Sequence, residues 1–151
     1  MSRTGKQLIV NALANGTVLD HIPSDKIFKV IDILQLQNYK EQITFGINLT
    51  SNTLVRKGII KIEGLFFKDE ELNRIALVAP NISVNIIKDY TVVEKKKLNL
   101  PKEIRGIAKC MNPMCVTNHE DITTKFTTKI CENKIELLCH YCEKTTDSRK
   151  L

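Results

Sequence analysis

Two close pairs of cysteines in the last third of the chain constrain its fold more than any other feature. Cys110 and Cys115 are separated by four residues and Cys139 and Cys142 by two. Each pair can occupy a tight turn and present two sulfurs to one tetrahedral ion, and Zn²⁺ favours such a closed shell of four thiolates. The spacing therefore predicts one structural zinc ion per chain, although a four-sulfur iron site fits the same spacing.

Other interpretations of the cysteines remain open at this point. The segment Cys139-His140-Tyr141-Cys142 matches the C-x-x-C pattern of dithiol oxidoreductases, but the second pair and the lack of a βαβ context argue against that chemistry. Five unrelated reduced thiols are the plainest alternative, and Cys131 is expected to be an ordinary one. Neither a secretory signal nor an apolar segment long enough to cross a membrane is visible, so a cytoplasmic protein without membrane contact is expected.

The sequence changes character near residue 100, which predicts two domains, 1–100 and 101–151. The first part has strong apolar periodicity and no cysteine, with two helical patterns, at Ile27–Leu34 and Asp69–Ala79, among five strand patterns. This order indicates an α+β sandwich, an antiparallel sheet with both helices on one face. The second part is predicted to be a small all-β zinc domain. It has few large apolar residues, so its fold needs a metal ion for stability.

Side-chain alternation gathers polar groups on the strands of the first domain. Val18 and Asp20 share one face of their strand, Asn85 and Ile87 share another, and Lys61 and Lys95 add cations. Together they could bind an anionic molecule that carries a planar polar base. Each residue also has a plainer interpretation: Lys61 as a solvated charge, Asp20-His21 as a turn and Lys95 as part of a linker.

No catalytic arrangement is recognisable, so the chain is interpreted as a binding protein and not an enzyme. The formal charge is +6, and four thiolates with one divalent ion lower it to about +4. A nucleic-acid-binding zinc ribbon is the rival hypothesis. It is disfavoured because acids such as Glu120, Asp121 and Glu136 alternate with the lysines of the second domain.

Three segments carry a resemblance to a known family: Gly16–Pro23, Arg56–Glu63 and Tyr141–Lys144, the last with its upstream cysteines. From about Leu8 to Lys144 the chain resembles the regulatory chain of aspartate carbamoyltransferase. The resemblance implies a ferredoxin-like effector domain that binds CTP and ATP, with UTP alongside CTP in some members. It also implies a zinc domain that docks on the catalytic chain, and an assembly of two catalytic trimers with three regulatory homodimers.

The same resemblance assigns roles to individual residues. The implied partner interface comprises Asn112, Tyr141, Glu143 and Lys144, whereas Met111 and Met114 depart from the family pattern in the first cysteine loop. The nucleotide-binding positions that it implies are Val10, Leu13, Val18, Asp20, His21, Lys61, Asn85, Ile87, Tyr90, Val92 and Lys95.

Overall fold

A five-stranded antiparallel sheet forms the first half of the chain in the computed structural model, which describes residues 12–50, 52, 56–132 and 134–150. Its strands are β1 Gly16–Pro23, β2 Ile43–Leu49, β3 Lys57–Glu63, β4 Ser83–Lys88 and β5 Thr91–Lys97. Their order across the sheet is β2-β3-β1-β4-β5. Non-consecutive strands are therefore neighbours at the centre, as the predicted ferredoxin-like topology requires.

Two helices, α1 (Ile27–Ile33) and α2 (Asp69–Ala76), pack on one face of this sheet. The start of α2 is favoured by three acids in its first turn, and the Glu71 carboxylate accepts a hydrogen bond from the Lys68 N–H. The core is aliphatic and includes the fully buried Leu19 and Ile60. The predicted α+β sandwich is confirmed, and its opposite sheet face carries no helix among the described residues.

The second half forms a smaller antiparallel sheet of β6 (Glu103–Arg105), β7 (Lys125–Cys131), β8 (Lys134–Cys139) and β9 (Thr145–Asp147). Its core joins Phe126 and Leu137, both fully buried, to three of the cysteines. Leu77, which follows α2, is also part of this cluster. The two halves therefore share an apolar contact.

Two local expectations were wrong. The alternation of Ile43, Phe45, Ile47 and Leu49 with polar residues predicts a half-buried strand, but β2 lies at the edge of the sheet and its Phe45 is 46% exposed. The strand predicted at Tyr90–Val93 is too short, because pairing with β4 extends β5 to its end at Lys97. No helix in the described ranges is long and apolar enough to span a bilayer.

Candidate metal centre and ligand face

The sulfurs of Cys110, Cys115, Cys139 and Cys142 all lie within 4.8 Å of one another. The Sγ atoms of Cys110 and Cys142 are 3.6 Å apart, and those of Cys115 and Cys139 are 3.7 Å apart. Zn–S bonds of about 2.3 Å place tetrahedral sulfurs about 3.8 Å apart, whereas a disulfide needs about 2.05 Å. The separations therefore fit one metal ion and exclude disulfides.

Tight loops hold both cysteine pairs. The Cys115 N–H donates to the Asn112 carbonyl at 3.0 Å, and the Glu143 N–H donates to the Cys139 carbonyl at 3.0 Å. The side chain of Asn118 braces the first loop by donating to the carbonyls of Cys110 (3.0 Å) and Asn112 (2.7 Å). Cys131 is exposed at the end of β7 and is not part of this cluster.

The four thiols differ in acidity because their surroundings differ. Burial raises the pKa of Cys110 to about 12. At Cys142 burial also opposes ionisation, but hydrogen bonds from the Lys144 backbone and the Asn112 side chain outweigh it and lower the pKa to about 6. A thiol that is protonated at neutral pH must release its proton to bind a metal, so loading this cluster releases protons.

The loops around the sulfurs form an exposed surface. The side chains of Met114 (81%), Met111 (47%) and Tyr141 (43%) are open to solvent, and Glu143 and Lys144 beside them are exposed too. Asn112 is half-buried, and its Oδ1 accepts the Met114 N–H at 3.1 Å. We call Met111, Met114, Tyr141, Glu143 and Lys144 the zinc-loop surface.

A row of four predicted residues crosses the helix-free face of the large sheet. Strand register pairs Lys61 with Val18, Val18 with Asn85, and Asn85 with Lys95. Residues directly opposite in neighbouring strands share one face, so these side chains form a line. The Oδ1 atom of Asn85 is buried and accepts no hydrogen bond within the described part of the chain. Such an orphaned acceptor is costly unless a ligand or water satisfies it.

A second row and a hollow adjoin this line. Gly16 lies opposite Ile87, which lies opposite Val92. The hollow has a volume of about 220 Å³, and its lining includes the predicted residues Leu13, Lys61 and Tyr90. Tyr90 is 71% exposed. Apolar groups and lysines are thus within reach of one bound molecule.

Asp20 and His21 lie two and three residues beyond Val18 along β1, at an irregular part of that strand. The register between β1 and β3 shifts after Leu19, and His21 adopts a left-handed φ of 59°. Burial opposes ionisation of Asp20, but hydrogen bonds from Lys57 Nζ (3.0 Å) and the His21 N–H (2.6 Å) leave its pKa below the ordinary value. Asp20 is therefore an anion that can accept hydrogen bonds from hydroxyl groups.

Several side chains at this face were not predicted from the sequence. Thr44, Gln42 and Glu63 line the hollow, and Lys57 holds Asp20. Thr44 lies opposite Lys61, and only the pairing of β2 with β3 reveals it. The predicted contact Val10 lies outside the described residues. All other predicted nucleotide positions lie on this face or at its rim, and their roles remain predictions.

Both halves of the chain match known protein families. Residues 8–99 match the family model described as the allosteric domain of the aspartate carbamoyltransferase regulatory chain, and residues 102–151 match that chain's metal-binding domain. The second description agrees with the four-cysteine cluster and confirms the predicted cofactor, one structural zinc ion.

Curated relatives that match this chain over nearly their whole length carry the same name. The aspartate carbamoyltransferase regulatory chain of Phocaeicola vulgatus is 54% identical over 95% of this chain and 92% of its own. The protein of that name from Bacteroides fragilis is 51% identical over 95% and 94%. The one from Pyrococcus abyssi is 48% identical over 96% of both chains.

Proposed function

Because this chain belongs to the family of aspartate carbamoyltransferase regulatory chains, we propose that it binds CTP and ATP, and UTP alongside CTP, on the helix-free face of its large sheet. The chain is a non-catalytic subunit with an allosteric domain. The observation that carries the proposal is the line Lys61–Val18–Asn85–Lys95 with the unpartnered Asn85 Oδ1 at its centre.

The chemistry of this face matches the parts of a nucleoside triphosphate. Lys61 and Lys95 offer charge-assisted hydrogen bonds to phosphate oxygens. The Asp20 carboxylate can accept hydrogen bonds from ribose hydroxyls, and Asn85 can satisfy its orphaned oxygen with another. The hollow beside Leu13 and Tyr90 supplies apolar contact for a base. These groups support a bound nucleotide without any glycine-rich phosphate loop.

Replacing Lys61 or Lys95 by alanine should weaken CTP and ATP binding about ten- to a hundredfold, since a hydrogen bond to a charged group contributes about 1.5–3 kcal/mol. Calorimetry on the zinc-loaded chain measures this loss. Lys96→Ala is the matched control: Lys96 lies on the same strand but on the opposite face, where its Nζ is 3.3 Å from Asp69. Equal affinities in the Lys61, Lys95 and Lys96 variants would exclude this site.

We also propose how the chain is assembled. The zinc-loop surface, with the predicted contacts Asn112, Tyr141, Glu143 and Lys144, would dock on the catalytic chain. Two copies of the chain would pair, and three such dimers would join two catalytic trimers. The division into 1–100 and 101–151 is supported by two separate sheets and by family matches that end at residue 99 and begin at residue 102. Reduced thiolates in the cluster favour a cytoplasmic location.

The function itself is tested by reconstitution. Alone, the chain should not transfer a carbamoyl group to aspartate. Mixed with its catalytic trimers, it should make the rate depend sigmoidally on aspartate concentration, and CTP or ATP should shift the midpoint. Each nucleotide must bind one quaternary state more tightly to do so, and couplings of about 1–3 kcal/mol are usual. Steady-state kinetics with and without nucleotides measures the shift.

Isolated catalytic trimers are the control, and their aspartate curve should keep its shape when nucleotides are added. An unchanged aspartate curve for the reconstituted complex with every nucleotide would contradict the regulatory role. The chain would then only link catalytic trimers.

A further inference from the structure

A second and larger hollow lies between the two halves of the chain. It has a volume of about 550 Å³ and shares no lining residue with the hollow at Tyr90. The first half contributes the turn before α1 and the segment after α2, and the second half contributes the β7–β8 hairpin and the C-terminal turn. We call it the interdomain groove.

Cations dominate the polar side chains of the groove: Lys26, Lys29, Lys134 and Arg149 all line it. Asp25, which is exposed, is its one lining carboxylate. Arg149 is held by Asp147, with Nε 3.0 Å from Oδ2. Across the described ranges, no carboxylate lies within ion-pair distance of Lys26 or Lys134. The lining therefore has four cations and one carboxylate, a net positive charge.

The floor of the groove is apolar and comes from both halves. Leu77 is 2% exposed and Ile135 is 7% exposed, and both belong to the apolar cluster that holds the second half together. Ile130, which is 65% exposed, and the half-buried Val78 also line the groove and supply the apolar surface that a ligand could cover. A molecule in the groove would thus contact an apolar floor below and cations around the rim.

We propose that the interdomain groove is a second ligand site, which binds a small phosphorylated anion with an apolar body. Its volume falls within the range of small-molecule sites, which often form at domain interfaces with apolar walls and a few placed polar groups. Cations at the rim can donate charge-assisted hydrogen bonds to phosphate. Because the lining comes from both halves, the ligand's affinity would depend on their relative orientation.

The probe for this site is 1-naphthyl phosphate, which combines an aromatic body with one phosphate group. Added at physiological salt to the ¹⁵N-labelled, zinc-loaded full chain, it should shift the amide resonances of Lys26, Leu77, Lys134 and Arg149 saturably. The double variant Lys26→Gln/Lys134→Gln should raise its Kd at least about tenfold, since two charged hydrogen-bond donors are lost. Lys134 is exposed, and Lys26 is half-buried but belongs to neither apolar core, so the fold should persist, and amide dispersion checks this.

The matched control is Lys102→Gln/Lys129→Gln, which removes the same charge from exposed positions outside the groove. Its Kd should change less than about twofold, because screened surface charges act weakly at a distance. An equal loss in both double variants would reduce the effect to general charge attraction and overturn the proposal. So would shifts confined to the amides of Lys61, Asn85 and Lys95.

Binding of inorganic phosphate measures the contribution of the phosphate group without that of the apolar body. It should bind the groove at least about tenfold more weakly than 1-naphthyl phosphate, since it cannot cover the exposed Ile130 and the half-buried Val78. Equal affinities would show that the apolar floor contributes nothing and would overturn the stated ligand class.

Discussion

Cys115→Ser or Cys142→Ser should unfold the C-terminal half of the chain, abolish zinc binding and end association with the catalytic chain. The four sulfurs are part of the second core and not an addition to it: Cys110, Cys115 and Cys139 are buried beside Phe126 and Leu137. Metal binding supplies about 10–16 kcal/mol in comparable small zinc domains, and this is folding energy. So small a sheet has no other source of that size.

Three measurements on these variants check the result. The zinc content should fall from about one ion per chain to near zero. The amide resonances of residues 102–150 should lose their dispersion. The variants should no longer co-elute with catalytic trimers. Nucleotide binding should largely survive, because the large sheet has its own core. Cys131→Ser makes the same chemical change at an exposed cysteine outside the cluster and should alter none of these properties. A Cys115→Ser chain that still co-elutes with trimers would remove the docking role from this half.

Gly16→Ala should destabilise the first half by about 3 kcal/mol or more, through overpacking and backbone strain together. Gly16 opens the central strand at a φ of 145°, and a Cβ there would lie 2.1 Å from the carbonyl oxygen of Ile62. That oxygen belongs to the backbone of β3, which is paired with strands on both sides. Neither strand can move away without breaking its ladder.

Hydrogen exchange of the β1 and β3 amides measures this loss locally, without assuming that both halves unfold together. Gly106→Ala is the control, because its φ of 66° is also left-handed but its Cβ would meet only Thr123 Cγ2, at 3.4 Å. It should cost about 1–2 kcal/mol from backbone strain alone. Similar losses of protection in the two variants, each measured in its own half, would show that the close approach to Ile62 is unimportant.

The metal centre could be predicted from the sequence because its ligands are local pairs on tight turns. The ligand face was harder, since its members meet only through strand pairing. Lys61 and Asn85 could be assigned to strand faces by alternation, but the Lys57–Asp20 pair depends on the register shift after Leu19. The left-handed backbone of His21 arises at the same irregularity and leaves no periodic signal.

Short or atypical strands could not be predicted from the sequence either. The strands β6 and β9 have three residues each, too few for any alternation to be visible. The three lysines at the end of β5 favour solvent by composition, yet backbone pairing with Ser83, Val84 and Asn85 extends the strand through them. In both cases tertiary pairing overrides local preference.

The line Lys61–Val18–Asn85–Lys95 also favours bound molecules of a certain length. Neighbouring strands are about 4.8 Å apart, so three intervals separate the backbones of the two lysines by about 14 Å. An elongated anion can contact both lysines with their side chains upright, whereas a single phosphate ion can do so only if both side chains bend inward across the sheet. The spacing of the strands would then discriminate between ligands of different length. A nucleoside diphosphate or monophosphate would lose contacts at one end of the line while keeping those at the other.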